Sequence, residues 1–146
     1  QEYVSENHHP QAIERIHSSP ESFLERENPK SLARFTHILI MGHDWAIDQN
    51  LLTGILSMMD DKEWSTTVGT IGSKAKWNSF STAAKQIGIK TSILNQILCP
   101  IGVDISAESP EEIAIAVCAQ IIDERARILR GEDKIKHTGW RATQTD

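Results

Sequence analysis

A short apolar run followed by a helical pattern recurs along the chain, and this order constrains the fold more than any other feature. Residues 36–42 include four consecutive apolar residues, which is typical of a strand buried on both faces of a parallel sheet. An amphipathic helix follows, with Asp44 as its N-cap. Residues 67–73 form a second run, rich in β-branched residues, and a helix with Trp77 and Phe80 on one stripe follows it. This alternation predicts an α/β fold with a mostly parallel sheet and right-handed crossovers.

Local signals divide the remaining segments. Ser19 followed by Pro20 predicts a helix start, and the Asn28-Pro29 pair predicts an interruption of that helix. Residues 12–17 are a weak strand candidate, and residues 93–99 suggest a short helix leading into a short strand. We therefore expect one three-layer domain over residues 12–131, between a polar leader at 1–11 and a polar tail at 132–146.

The last helix has the clearest boundaries. Ser109 as N-cap, Pro110 at the first helical position and Glu112 at the third form a capping box. The helix is expected to run to about Arg130. Residues 113–119 are apolar nearly all round, which predicts a deeply packed helix with Cys118 in the core.

Composition excludes several classes of protein. With 146 residues, 39% hydrophobic and 24% charged, the chain has the composition of one soluble globular domain. Its longest apolar run is far shorter than the ~20 residues that span a bilayer, so we expect no membrane insertion. The net charge of -5 gives no field that would attract nucleic acid. Two cysteines make neither a disulfide framework nor a zinc site, which favours the cytoplasm.

Three predicted strand ends carry small or polar residues. These segments are Gly42-His43-Asp44, Gly72-Ser73-Lys74 and residues 99–104. In parallel sheets, ligands bind at the carboxyl ends of the strands, so we expect the three segments to form one ligand-binding edge. Trp45 is a further candidate for lining this edge.

The chemistry of that edge stays open at the level of single residues. Gly72-Ser73-Lys74 before a helix suits a phosphate or a pterin phosphate, but it is equally a turn with a solvated lysine. His43 beside an acid suits an acid–base pair, part of a metal site or a residue that holds a ligand by a hydrogen bond. For Asp44, a role as helix cap is the alternative to any of these. Cys99 is either a reactive thiolate or an inert buried thiol. No G-x-G-x-x-G, Walker A or G-x-S-x-G motif is present, so no reaction, catalytic residue or metal site is defined.

Four blocks together resemble a known family. They are Gly42-His43-Asp44 with Asp48, residues 71–74, residues 99–105 and residues 109–114. Their order and spacing resemble the C-terminal Rossmann-like domain of the XdhC/CoxI family, which are accessory factors for xanthine dehydrogenase and related molybdenum hydroxylases. The resemblance covers about residues 12–130. Ser106 and Ser109 stand where the family often has glycine and threonine, and the family's opening strand with its Gly-rich turn is missing from the expected sheet.

The resemblance implies a chaperone that binds the molybdopterin cofactor, protects it during sulfuration and delivers it, without turnover of its own. The implied partners are the apo-hydroxylase and the cofactor sulfurase, with a homodimer as a further expectation. The implied cofactor-binding residues are His43, Asp44, Gly72, Ser73, Lys74, Pro100, Gly102 and Asp104. Lys74 and the backbone near Ser73 would meet the phosphate, and Asp48 would orient its neighbours. An NAD(P)-binding oxidoreductase domain and a protein-interaction or dimerisation module with a vestigial pocket are the alternatives.

Overall fold

A computed structural model describes residue 14 and residues 16–59 and 64–132. The predicted leader, nearly all of the predicted tail and half of the candidate strand at 12–17 lie outside these residues, and its described residues Glu14, Ile16 and His17 have irregular backbone. The elements, in chain order, are α1 (Pro20–Arg26), α2 (Pro29–Leu32), β1 (His37–Ile40), α3 (Trp45–Met58), β2 (Thr67–Thr70), α4 (Lys74–Gln86), α5 (Thr91–Leu94) and α6 (Pro110–Leu129). None of these helices is long and apolar enough to cross a bilayer.

The sheet is parallel and narrow. β1 pairs with β2 in a register that runs from His37 opposite Thr67 to Ile40 opposite Thr70. The expected third strand is reduced to a bridge between Leu98 and Gly69. Leu98 N–H donates to the Val68 carbonyl and Ile101 N–H to the Thr70 carbonyl, both at 3.0 Å. Pro100 lies between these two donors, and it has no N–H with which to continue the ladder.

The two faces of the sheet have different covers. On one face Ile40 and Val68 join the main core with side chains of α3 and α4. On the other face Leu39 packs against Leu98 and Val117, the latter from α6. The molecule is therefore a three-layer α/β fold, as the sequence predicts. Burial of β1 on both faces is not found, because only Ile40 is fully buried and the other three residues are half-buried. Ile38 on the main-core side and Leu39 on the α6 side are both half-buried, so neither cluster covers the strand completely.

Side-chain caps form the helix starts that the sequence predicts. Ser19 accepts from Ser22 N–H at 3.1 Å, and Asn28 caps α2 directly after α1 ends. Asp44 accepts from Ala46 N–H at 2.8 Å at the start of α3. In α6, Ser109 and Glu112 form the reciprocal capping box. Each cap satisfies N–H groups that a helix end leaves without a partner.

The expected deep burial of α6 is wrong, and so is the placement of Cys118 in the core. Cys118 is exposed, and the buried residues of α6 include the polar Gln120 and Glu124. Gln120 accepts from Gly102 N–H at 2.6 Å, and Glu124 accepts from the Thr67 hydroxyl at 2.7 Å. Because the helix is held from one side by these bonds and a small apolar cluster, its opposite face points to solvent.

Candidate functional site

The three strand-end segments meet around one cavity of about 630 Å³. The loop after β1 contributes His43 and Trp45, and the segment from β2 into α4 contributes Gly72 and Ser73. The third wall consists of the chain after the Leu98 bridge together with the first half of α6. The volume lies within the range of small-molecule sites, and the position at the carboxyl ends of parallel strands is the one where such folds bind ligands.

Five of the predicted binding residues line this cavity. They are His43, Gly72, Ser73, Pro100 and Asp104. Trp45, which the sequence suggests for the same edge, also lines it and is about half exposed at 49%. The structure thus brings the three segments together, while the binding role of each residue stays a prediction.

Three further predicted residues lie outside the cavity lining. The Asp44 carboxylate accepts from Ala46 and Ile47 N–H groups at 2.8 and 3.1 Å, which caps α3. Lys74 is exposed as the first residue of α4. Gly102 is buried behind the wall at a φ of 117°, where an added Cβ would lie 3.3 Å from the Val117 nitrogen. Asp44 and Gly102 therefore shape the backbone beside the cavity, whereas the exposed Lys74 has no hydrogen bond or ion pair, among the described residues, that links its side chain to the cavity lining, and its binding role stays a prediction.

The cation at the cavity is Lys76, which the sequence analysis does not single out. Its Nζ lies 2.6 Å from Asp48 Oδ2, and the two side chains are only 6% and 2% exposed. Lys76 also lines the cavity. It stands three residues after the α4 N-cap Ser73, one helical turn into α4. Residues three apart share a helix face, so this spacing is the sequence signal that could have identified Lys76.

Two glycines make room for the ion pair. An added Cβ at Gly42 would overlap the Asp48 carboxylate, with Cγ only 2.9 Å away. An added Cβ at Gly72 would lie 2.8 Å from Lys76 Cδ. The glycines at both strand ends therefore admit the pair at its observed position. They explain why the strand ends carry glycine, beyond the conformational freedom that the sequence suggests.

Cys99 is a neutral thiol beside this site. It is 1% exposed, and burial raises its pKa to about 12, partly opposed by the positive charge of Lys76. A thiol with this pKa is protonated at neutral pH, and the thiolate is the reactive form. Of the two interpretations open from the sequence, the structure therefore supports the inert buried thiol.

The lining combines one buried cation with mainly apolar walls. Lys76 lines the cavity with its ammonium group paired to Asp48, and the N-terminal end of α4 beside it suits an anionic group. Trp45, Ile71, Pro100 and Ile113 offer apolar surface to a flat organic body. This arrangement suits an amphiphilic ligand that carries a phosphate on an aromatic or heterocyclic body.

The sequence matches the family model described as the XdhC Rossmann domain over residues 2–121. The chain belongs to this family. The match includes every loop that lines the cavity from β1 to the first half of α6, so the cavity is a feature of an XdhC Rossmann domain. No curated protein matches the chain.

Proposed function

We propose a specific role for the chain within the general XdhC-type accessory role that its family membership gives. In this proposal it binds the molybdopterin form of the molybdenum cofactor, protects it during maturation and releases it to a xanthine dehydrogenase-type hydroxylase in the cytoplasm. The observation that carries the proposal is the strand-end cavity of about 630 Å³ with the buried Lys76 ammonium group in its wall.

The residues present suit this cofactor. Its phosphate needs a cation and N–H donors, and its tricyclic pyranopterin needs flat apolar contacts. Lys76 lines the cavity beside the start of α4, where Ser73 accepts from the Lys76 N–H at 3.3 Å. Trp45 and Pro100 lie on the other walls. In the proposal, Lys76 meets the phosphate and Trp45 covers the pterin.

When bound, the cofactor supplies the molybdenum centre used later by the hydroxylase. The chain's own residues hold and shield it. The ion pair with Asp48 holds the Lys76 side chain in position. Trp45, half exposed at the rim, shields one side from water. The neutral Cys99 thiol offers no competing thiolate ligand at this position.

Partners follow from the same proposal. The apo-hydroxylase would receive the cofactor and a cofactor sulfurase would modify it while it is held. A chaperone that releases its ligand needs a site that the ligand can leave. The proposal gives no residue a catalytic role. An NAD(P)-dependent oxidoreductase is the alternative to be tested against this role.

Titration of the purified chain with molybdenum cofactor, under anaerobic conditions, tests the proposal. We expect saturable quenching of tryptophan fluorescence by the cofactor. Trp45→Ala and Lys76→Met should each weaken binding about tenfold, equal to about 1.4 kcal/mol. Lys85→Ala is the matched control, because Lys85 lies exposed in the last turn of α4 and outside the lining.

Trp45→Ala keeps the test valid if Lys76→Met lowers stability, since Trp45 is half exposed. Loss of affinity in Lys85→Ala equal to that in Trp45→Ala would place the ligand elsewhere. A parallel titration with NADH and NADPH separates the alternatives. Tighter binding of a nicotinamide cofactor than of molybdenum cofactor would overturn the proposal in favour of an oxidoreductase domain.

A further inference from the structure

The solvent-facing side of α6 carries a stripe with a regular spacing. The stripe consists of Glu111, Ile115, Cys118, Ile122, Arg125 and Leu129. Its members are separated by four, three, four, three and four residues, which is the heptad spacing of a helix–helix seam. All six residues are exposed, and Ile115, Ile122 and Leu129 expose 63%, 66% and 76% of their surface.

The stripe is the more apolar of the two sides of the helix along its C-terminal half. The inner side places Gln120 and Glu124 against the sheet, where the Gln120 amide oxygen accepts from Gly102 N–H and the Glu124 carboxylate accepts from the Thr67 hydroxyl. The outer side leaves Ile122 and Leu129 in water. Contiguous apolar surface of this kind on a soluble domain marks an interaction site. Its spacing further specifies a helix as the partner element.

The charges at the two ends of the stripe indicate which helix. Glu111 lies seven residues before Cys118, and Arg125 lies seven residues after it. Neither forms an ion pair with another residue within the described ranges. An antiparallel copy of α6 related by a two-fold axis at Cys118 would place each Glu111 opposite Arg125 of the second copy. The same axis brings Ile115 within one residue of the position opposite Ile122.

We propose that the α6 stripe is a homodimer interface, formed by two antiparallel copies of α6 around a two-fold axis at Cys118. A two-fold interface must be self-complementary, and the stripe has opposite charges at equal distances from its centre. A parallel arrangement would place Glu111 opposite Glu111 and Arg125 opposite Arg125, which like-charge repulsion disfavours.

The length of α6 sets the strength of this association. Its 20 residues form a helix about 30 Å long, and one helix pair buries less area than a standard stable interface. The dimer is therefore expected to be weak and concentration-dependent. Sedimentation equilibrium of the full chain should show monomer and dimer in exchange.

Cross-linking locates the axis. A short bismaleimide should join two chains through Cys118, and Cys118→Ser should abolish the product. Cys99 serves as the internal control, because it is 1% exposed in the folded chain. A dimer that forms in solution but gives no Cys118 cross-link would overturn the proposed axis, and a chain that stays monomeric at high concentration would overturn the interface.

Charge reversal tests the antiparallel order. Glu111→Arg and Arg125→Glu should each weaken the dimer at least several-fold, because each creates like-charge contacts at both ends. An equimolar mixture of the two variants should dimerise again, since one chain is then positive at both positions and the other negative. The double variant should also recover. Circular dichroism checks that α6 remains helical, and dimerisation unaffected by either reversal would disprove the arrangement.

Discussion

Single residues at the strand ends decide what the cavity can bind. Asp48 and Lys76 are both buried, and Oδ2 of Asp48 lies 2.6 Å from Nζ of Lys76. Each side chain balances the charge of the other, which would otherwise be buried without a partner. Breaking such a pair from one side is costly, whereas replacing both partners by apolar residues can be neutral.

Asp48→Ala should therefore destabilise the chain by about 3–5 kcal/mol. The lost carboxylate leaves the Lys76 ammonium buried among apolar groups. Urea denaturation measures the free energy of unfolding. The Asp48→Leu/Lys76→Met double variant should lose less stability than Asp48→Ala, and an equal or larger loss in the double variant would show that the pair is not the source of the effect.

A second charged cluster predicts acid sensitivity. The Arg34 guanidinium, 2.6 Å from the Glu27 carboxylate, and the Ser31 hydroxyl lower the pKa of Glu27 from 4.5 to about 2. A carboxyl whose pKa is lower in the folded chain stabilises it above pH 4.5, and that stability is lost as the pH falls towards 2. Carbon-detected NMR titration should find the low Glu27 pKa in the native chain and a higher pKa in Arg34→Gln, where the Ser31 hydroxyl alone still donates to the carboxylate.

At the scale of elements, the segment from Leu98 to Ile101 can pair with β2 only because the two backbones approach closely at Gly69. Gly69 of β2 faces Ile101, and an added Cβ would lie 2.9 Å from the Ile101 Cβ. Ile101 is 3% exposed, so it has no room to move.

Gly69→Ala should accordingly cost about 1–3 kcal/mol through overpacking. Chemical denaturation of Gly69→Ala, Ile101→Ala and the double variant forms a mutant cycle. In the Ile101→Ala background the added methyl should cost less, because Cδ1 and Cγ1 of Ile101 are removed while its Cβ remains. Additive losses in the double variant would contradict the proposed contact.

The sequence predicts where helices begin better than it predicts strand pairing and which side of a helix is buried. Ser19, Asp44 and Ser109 define helix starts because a cap depends on groups within three residues. The ladder ending at Pro100 and the exposed side of α6 depend on partners far away in the chain, which hydrophobic periodicity cannot supply. For the same reason the sequence favours Lys74 over Lys76. The choice between them depends on where Asp48 lies, across a different helix.

At the scale of the whole molecule, the cavity joins segments that are distant in sequence. Its walls come from the chain after β1, after β2 and around the start of α6, so the site exists only when the sheet and its helices are assembled. A ligand bound there must stabilise the folded state.

If the proposed function is correct, molybdenum cofactor at 100 times its dissociation constant should raise the unfolding free energy by about 2.7 kcal/mol. Denaturation in urea with and without cofactor measures the gain. With tenfold weaker binding, Trp45→Ala should gain only about 1.4 kcal/mol at the same cofactor concentration. It should keep most of the stability of the free chain, because Trp45 is half exposed at the rim. An undiminished gain in this variant would contradict binding in the strand-end cavity.

The two cysteines differ in exposure, and this difference allows transient opening of the fold to be measured. In the monomer Cys118 faces solvent, whereas Cys99 is buried, and its pKa is about 12. An alkylating reagent should therefore modify Cys118 within its ordinary reaction time and reach Cys99 only during openings of the fold. Mass spectrometry separates the two alkylation steps. The delay between the first and the second then measures how often the core around Cys99 opens, without any added label.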